Sequence, residues 1–253
     1  MKIVNDQSAV PVRLAEASTA GYLVLAAEIG TWAGPFALPS RTRGHTLARA
    51  VQLCAELAER DDVLEAVVFR GALRPPGEGA DILARAGARP ARFDVVVLIL
   101  TRGRDDLDAV RGDAAYRALS AEISSTAKYS YRVGADNAAR IADVDHRSDD
   151  WFLFNYFHCD DADTVYSVWR YTAGWFQQRT ALPNSTLLRP LPRQDRDFSV
   201  VNHASWPTLR TFLPALLLRP SFRTFVLANF AANGVAAQPI MYRRVPRAAG
   251  SGH

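Results

Sequence analysis

One pattern restricts this chain more than any other: an order of strand, helix, strand, strand, helix, strand that occurs twice. The first pass begins at Tyr22-Leu-Val-Leu-Ala-Ala-Glu-Ile29, a run of strand formers bounded by Gly21 and Gly30. Residues 45–60 place Leu47, Ala50, Val51, Cys54 and Leu57 at helical spacing. Residues 63–73 read as a second strand, broken by Arg74-Pro-Pro-Gly-Glu-Gly79. Phe93-Asp-Val-Val-Val-Leu-Ile-Leu100 is the clearest buried strand, residues 105–123 form a helix, and residues 127–133 a fourth strand. The second pass runs through a strand at 151–159 and a helix at 161–178, with Val165, Val168, Trp169, Thr172 and Phe176 on one stripe. It continues with strands at 185–191 and 198–205, a helical stretch at 207–230 split near Pro220, and a last strand at 239–245.

A β-α-β-β-α-β unit is a ferredoxin-like fold. Its helices cover one sheet face, and the other face needs a partner to keep its apolar side chains from water. Two units in tandem supply that partner to each other. The expected architecture is therefore α+β: tandem ferredoxin-like repeats forming an intramolecular, pseudo-dimeric α+β barrel. The first repeat takes residues 1–145 and the second residues 146–253, with the division near Ala142-Asp-Val-Asp-His-Arg-Ser-Asp-Asp150.

Composition excludes several functions. At 253 residues, 49% hydrophobic and 22% charged, the chain can bury a sizeable core. No apolar run reaches the ~18 residues of a membrane span, and Met1 to Asp6 lack a signal-peptide run, so a cytoplasmic location is expected. The net charge of +4 comes from Arg residues interleaved with Asp, as in Arg102-Gly-Arg-Asp-Asp106, which argues against nucleic-acid binding. Two cysteines, Cys54 and Cys159, make no disulfide scaffold. A G-x-S-x-G elbow, a P-loop and a G-x-G-x-x-G motif are all absent. His158 and Cys159 adjoin Asp160 and Asp161, but neighbours on a strand point to opposite faces, so no metal site is expected there.

The informative stretch is Phe198-Ser-Val-Val-Asn-His-Ala-Ser-Trp206. On a strand Phe198, Val200, Asn202, Ala204 and Trp206 share one face, and His203 takes the other, toward the helices. The first strand of the same repeat, Phe152-Leu-Phe-Asn-Tyr-Phe-His158, carries Asn155 on a face with Leu153 and Phe157. An amide inside an aromatic strand is costly unless it bonds something. Two of them on neighbouring strands suggest a polar spot in an apolar cavity. Either could instead satisfy a backbone group, and Trp206 could be plain core.

The second repeat resembles the antibiotic-biosynthesis monooxygenase family of dimeric α+β barrels. The likeness rests on Asn155-Tyr-Phe157, Asn202-His-Ala-Ser-Trp206, Arg219-Pro-Ser-Phe222 and Pro239-Ile-Met-Tyr242. It implies a cofactor-independent monooxygenase that oxidises an anthrone-like, polyketide-derived phenol to a quinone, with O2 as co-substrate and no metal or flavin. It also implies Asn155, Asn202 and Trp206 as catalytic residues, the Trp206 indole N–H donating to an oxygen intermediate. Tyr156, Trp169, Phe212 and Arg223 become candidate substrate contacts, with Phe154 and Trp175 as further candidates for an aromatic wall. Two departures stand out: Phe212 occupies a position where the family's anthrone oxygenases often have Tyr, and the helix Arg matches either Arg223 or Arg219. Aligning Phe93 with Phe198 puts Val97 opposite Asn202 and Thr101 opposite Trp206, so the first repeat is expected to lack the site. Related barrels bind haem, which is the alternative cofactor, although the matching His position falls near Phe225 or Val226. A non-catalytic small-molecule binder or a cyclase of aromatic polyketide metabolism is the other alternative. The resemblance leaves room for a homodimer of tandem chains.

Overall fold

The computed structural model describes residues 1–192 and 197–247. In chain order the strands are β1 (Gly21–Glu28), β2 (Trp32–Ala33), β3 (Phe36–Ala37), β4 (Val63–Leu73), β5 (Val95–Thr101), β6 (Tyr129–Ala142), β7 (Trp151–His158), β8 (Asn184–Pro190), β9 (Val200–Trp206) and β10 (Ala236–Arg244). The helices are α1 (Arg41–Leu57), α2 (Ala80–Ala86), α3 (Leu107–Arg111), α4 (Ala114–Thr126), α5 (Ala162–Thr180), α6 (Leu209–Leu218) and α7 (Ala228–Ala232), with a π-helical turn at Phe222–Leu227.

Eight long strands close a barrel. The first repeat orders its strands β6-β1-β5-β4 and the second β10-β7-β9-β8. Antiparallel pairing of β6 with β8 and of β10 with β4 joins the two sheets at both edges. Closure leaves no open edge among these eight strands. The pseudo-dimeric α+β barrel expected from the repeated order is the one observed.

Alternation along each strand separates three cores. From β1, Tyr22, Val24 and Ala26 point into the barrel interior, while Leu23, Leu25 and Ala27 point to α1 and α4. From β7, Phe152, Phe154 and Tyr156 enter the interior, and Leu153 and Phe157 meet the helices of the second repeat. Aromatic rings fill the interior; Phe93, for example, lies edge-on to Tyr156 with centroids 4.9 Å apart.

Helix starts follow local chemistry. Asp161 caps α5 by accepting from the backbone N–H groups of Asp163 and Thr164, and Asp113 caps α4 through Ala115. That cap explains why the helix expected at 105–123 is broken, with α3 and α4 on either side of Gly112 and Asp113. The break near Pro220 lies between α6 and the π-turn. The stretch 77–79, which reads as a loop, leads directly into α2. Strand β6 runs nine residues past the expected end at 133, to Ala142.

The amino-terminal residues depart from the expected division at 145. Residues 2–13 bond to the second repeat, whereas Ala15, Glu16 and Ser18 bond to β6 of the first. Asn233 and Asn229 each grip a backbone residue in both directions: Lys2 N–H to Asn233 Oδ1 at 2.6 Å and Asn233 Nδ2 to Lys2 O at 2.7 Å, then Val4 and Asn229 at 3.0 and 2.8 Å. Gln177 of α5 does the same for Arg13. A Cβ on Gly174 would lie 1.9 Å from the Val10 carbonyl oxygen, so the absent side chain is what lets this segment lie on α5. Cys54 and Cys159 are both free thiols. No helix among the described residues is long and apolar enough to cross a membrane.

Candidate active site

Asn155 and Asn202 are direct cross-strand partners in the β7–β9 ladder. Their shared face is the helix side of the second sheet, where Leu153, Phe157 and Trp206 also point. Together with Ser185 of β8 they form the floor of a small enclosed space. Trp169, Thr172, Ala173 and Phe176 of α5 form its roof, and Leu182 and Phe230 close its ends. The cavity measures about 50 Å³. That is several times smaller than the ~300–1,000 Å³ of ordinary small-molecule sites.

The two amides differ in their bonding. Ser185 Oγ donates to Asn202 Oδ1 at 2.6 Å, which fixes the amide so that its Nδ2 turns away from Ser185. No hydrogen bond among the described residues uses that Nδ2. Asn155 Oδ1 is enclosed and has no partner. A donor and an acceptor thus stand side by side on an apolar floor, each short of a bond. Buried polar atoms are nearly always paired, and the enclosed Asn155 Oδ1 is an exception at this cavity.

Trp206 lines the cavity with its ring, but its N–H is committed elsewhere. Nε1 donates to the Thr180 carbonyl at 3.1 Å and lies 3.2 Å from Thr180 Oγ1. The last carbonyls of a helix lack intrahelical partners, and the indole satisfies one at the end of α5. The expectation that this N–H serves an oxygen intermediate is therefore corrected: it caps a helix. Phe212 packs at a tilt of 39° behind Trp206, with centroids 4.3 Å apart, and does not line the cavity.

Other expected contacts are redistributed. Trp169 lines the cavity as anticipated. Tyr156 does not; strand alternation turns it into the barrel interior, where its hydroxyl lies 3.3 Å from that of Tyr242 and burial pushes its phenol far up. Phe154 shares that interior. Trp175 is buried away from the cavity, its N–H bonded to Ser221 Oγ. Arg223 and Arg219 are exposed, on and before the π-turn, and neither lines the cavity. His203 faces the barrel interior and not the helix side, with Nδ1 2.9 Å from the Leu153 carbonyl. Burial, then the neighbouring His146, hold its pKa well below the ordinary value of 6.5. Ser185 escaped the sequence reading because its importance lies in cross-strand pairing with β9; the signal was the polar run Asn184-Ser-Thr186 at the start of a buried strand.

The first repeat has no counterpart. Pairing of β1 with β5 puts Leu25 opposite Val97, in the places that Asn155 and Asn202 hold in the second repeat. Both side chains are fully buried against α1 and α4. Thr101, at the position of Trp206, donates its hydroxyl to the Gly103 carbonyl. The polar spot is peculiar to the second half.

Solved structures supply the wider context. An anthrone oxidase-like protein superposes with a TM-score of 0.66 at 11% identity, covering 96% of this chain and all of that one. The likeness is one of fold, a closed α+β barrel. A "putative monooxygenase" from Fusobacterium nucleatum matches with a TM-score of 0.56 at 8% identity, over 90% of this chain and 94% of its own. A "putative chlorite dismutase" matches with a TM-score of 0.52 at 11% identity, over 91% and 96%. No family model and no curated protein matches the sequence.

Proposed function

We propose that the chain is an oxidoreductase of the monooxygenase type, with its site in the second repeat, acting with O2 on an aromatic phenol of the anthrone class. The observation that carries this reading is the enclosed, unpartnered Asn155 Oδ1 on an apolar floor that it shares with Asn202. Such a pair matches a substrate that offers a hydroxyl to one amide and a carbonyl or phenolate oxygen to the other. Asn202 Nδ2 then stabilises the negative oxygen formed when the substrate loses its acidic carbon-bound proton.

None of the twelve lining residues is an acid or a base that titrates near neutrality. That suits an anthrone, whose carbanion is delocalised into a phenolate and forms readily. The anion gives one electron to O2, the two radicals combine at carbon to a hydroperoxide, and loss of water leaves the quinone. One carbon–oxygen bond forms, the oxygen–oxygen bond breaks, and the second oxygen leaves as water. The protein's part is to hold the anion, orient it and exclude bulk water. At about 50 Å³ the cavity has to widen for a tricyclic ring. Phe230 of α7 closes one end of the cavity just after the π-turn, and π-turns of this kind are frequent at functional sites.

Haem does not fit these residues. The lining side chains include no His, Cys or Tyr to hold iron. Among the described histidines, His146 and His203 face each other, His158 Nδ1 lies 2.8 Å from the Asp197 carbonyl, and His45 is exposed on α1. A non-catalytic binder is the second reading, favoured by Phe212 in the place of a Tyr and by the occupied N–H of Trp206.

The test is oxidation of dithranol in air, followed as anthraquinone formation. The wild type is expected to exceed the uncatalysed rate, and Asn202→Ala to lower kcat/KM by about 10²-fold, the scale of one oxyanion donor. Equal rates in the wild type, Asn155→Ala and Asn202→Ala would remove the site. Saturable dithranol binding without turnover would leave the binder.

A further inference from the structure

One end of the barrel interior holds a chain of three linked titratable groups that the proposed site does not use. Glu65 Oε2 lies 2.6 Å from Nδ1 of His146, and Nε2 of His146 lies 2.9 Å from Nε2 of His203. The chain ends where His203 Nδ1 meets the Leu153 carbonyl at 2.9 Å. Its members come from three places. Glu65 stands on β4 beside a register irregularity between Val63 and Glu65, His146 on the connection between the two repeats, and His203 on β9. Both imidazoles are almost wholly buried, and one third of the Glu65 side chain reaches solvent. Apolar rings enclose the pair: Phe154 stacks on His203 at 4.1 Å, and Phe69 meets His146 and His203 edge-on at 5.7 and 5.6 Å.

Hydrogen-bond complementarity fixes the proton count. The Leu153 carbonyl can only accept, so His203 carries its proton on Nδ1 and presents a lone pair at Nε2. His146 must then donate from Nε2. Its Nδ1, facing a carboxyl oxygen at 2.6 Å, needs one further proton, held either by His146 or by Glu65. With that proton every contact in the chain is satisfied. Without it, a lone pair faces a lone pair somewhere along the chain, whichever tautomers the two rings adopt. We propose that Glu65, His146 and His203 form a one-proton link that ties the inter-repeat connection into the end of the barrel and loosens when rising pH removes that proton.

Other charged and titratable groups stand around the three residues. A groove of about 380 Å³ at the Glu65 end is lined by Cys54 of α1, Arg147, and Arg244 and Arg247 from β10 and the segment after it. Arg147 bonds Asp145. Burial pushes the Cys54 thiol up to about 12. Asp150, near the far end of β9, accepts from Ser205 Oγ at 3.0 Å. From β7 only the rings of Phe152 and Phe154 face the imidazoles.

Glu65→Gln separates the proton from the geometry. A Gln amide N–H donates to a neutral His146 Nδ1 and completes the chain without a removable proton. The measurement is ¹⁵N NMR of the imidazole nitrogens between pH 6 and 9.5, in the wild type and in Glu65→Gln. Amide hydrogen exchange at Arg243, Arg244 and Val245, which border β4, is followed in parallel and corrected for intrinsic rates. In the wild type the ring nitrogens are expected to change protonation or tautomer as pH rises, with exchange quickening about tenfold, the scale of one lost hydrogen bond. In Glu65→Gln both readouts are expected to stay flat within twofold, with His146 protonated on Nε2 and His203 on Nδ1. A wild type with constant ring nitrogens across this range, or a Glu65→Gln protein that titrates as the wild type does, would overturn the proposal. So would His203 protonated on Nε2 at neutral pH, which the wild-type spectrum alone decides.

Discussion

Asn155→Leu should make the protein more stable and less useful. Asn155 Oδ1 is enclosed without a partner, and an unsatisfied buried polar atom costs about 1–3 kcal/mol. Leu25 holds the corresponding place in the first repeat, fully buried on the same kind of strand. Leu is bulkier than Asn, but the adjoining cavity of about 50 Å³ can take the extra methyl groups. The substitution thus relieves the polar penalty and fills a void. A gain of about 1–3 kcal/mol is expected, and in a chain of this size each kcal/mol moves Tm by roughly 2–4 °C. Asn202→Leu is the matched control. It removes the acceptor of the Ser185 hydroxyl and should cost about 1–2 kcal/mol. Urea unfolding of the three proteins, with dithranol binding measured alongside, makes the comparison. If Asn155→Leu unfolds at lower urea than the wild type, the oxygen has a partner and the reasoning fails. If it gains stability and keeps full dithranol affinity, Asn155 is not part of the site.

Three further outcomes follow from particular contacts. Gly174→Ala places a methyl 1.9 Å from the Val10 carbonyl and should displace the amino-terminal segment, read as faster proteolysis within residues 1–13 while the barrel stays folded. Asp94→Ala removes a wholly buried carboxylate that accepts from the Ile29 and Gly30 N–H groups and from Arg43 at 3.1 Å; urea unfolding should show a loss of about 3–5 kcal/mol, because the Arg43 charge is left buried and unpaired. His203 is held neutral below its ordinary pKa of 6.5, so in acid the unfolded chain binds a proton that the folded chain refuses. Its contribution is complete above pH 6.5 and is lost as pH falls, at up to about 1.4 kcal/mol per pH unit; stability measured between pH 5 and 7 should flatten in His203→Gln, and an unchanged slope would count against a neutral His203.

The fold was legible because it rests on local signals repeated in order. Strand runs such as residues 95–100 and the Asp161 cap depend only on neighbours in sequence, and two copies of one order leave few topologies. Asn155 and Asn202 were legible for the same reason: period two on a strand assigns faces. What failed was anything that needed a partner from elsewhere in the chain. Tyr156 lies beside Asn155 in sequence, and the same alternation that aims the Asn at the cavity sends the Tyr into the barrel. His203 was assigned the right parity but the wrong surroundings, since the identity of the opposite face depends on how two sheets meet. The hydrogen bond from Trp206 to Thr180 spans 26 residues and follows from where α5 ends, which no periodicity reports. The grip of Asn229 and Asn233 on residues 2 and 4 joins the two ends of the chain and left no local mark.

Closure of the barrel also sets an order of events during synthesis. Of the ten described strands β10 is the last in chain order, and it pairs with both β7 and β4. Until it arrives, β4 of the first repeat and β7 of the second each carry a bare row of backbone donors and acceptors, and the aromatic interior is open along that seam. A nascent chain halted before Ala236 is therefore a sheet with two adhesive edges, well suited to pairing with a neighbouring nascent chain of its own kind. Arrival of the nine-residue β10 turns that liability into a ring, and leaves the protein vulnerable at one step of its own making.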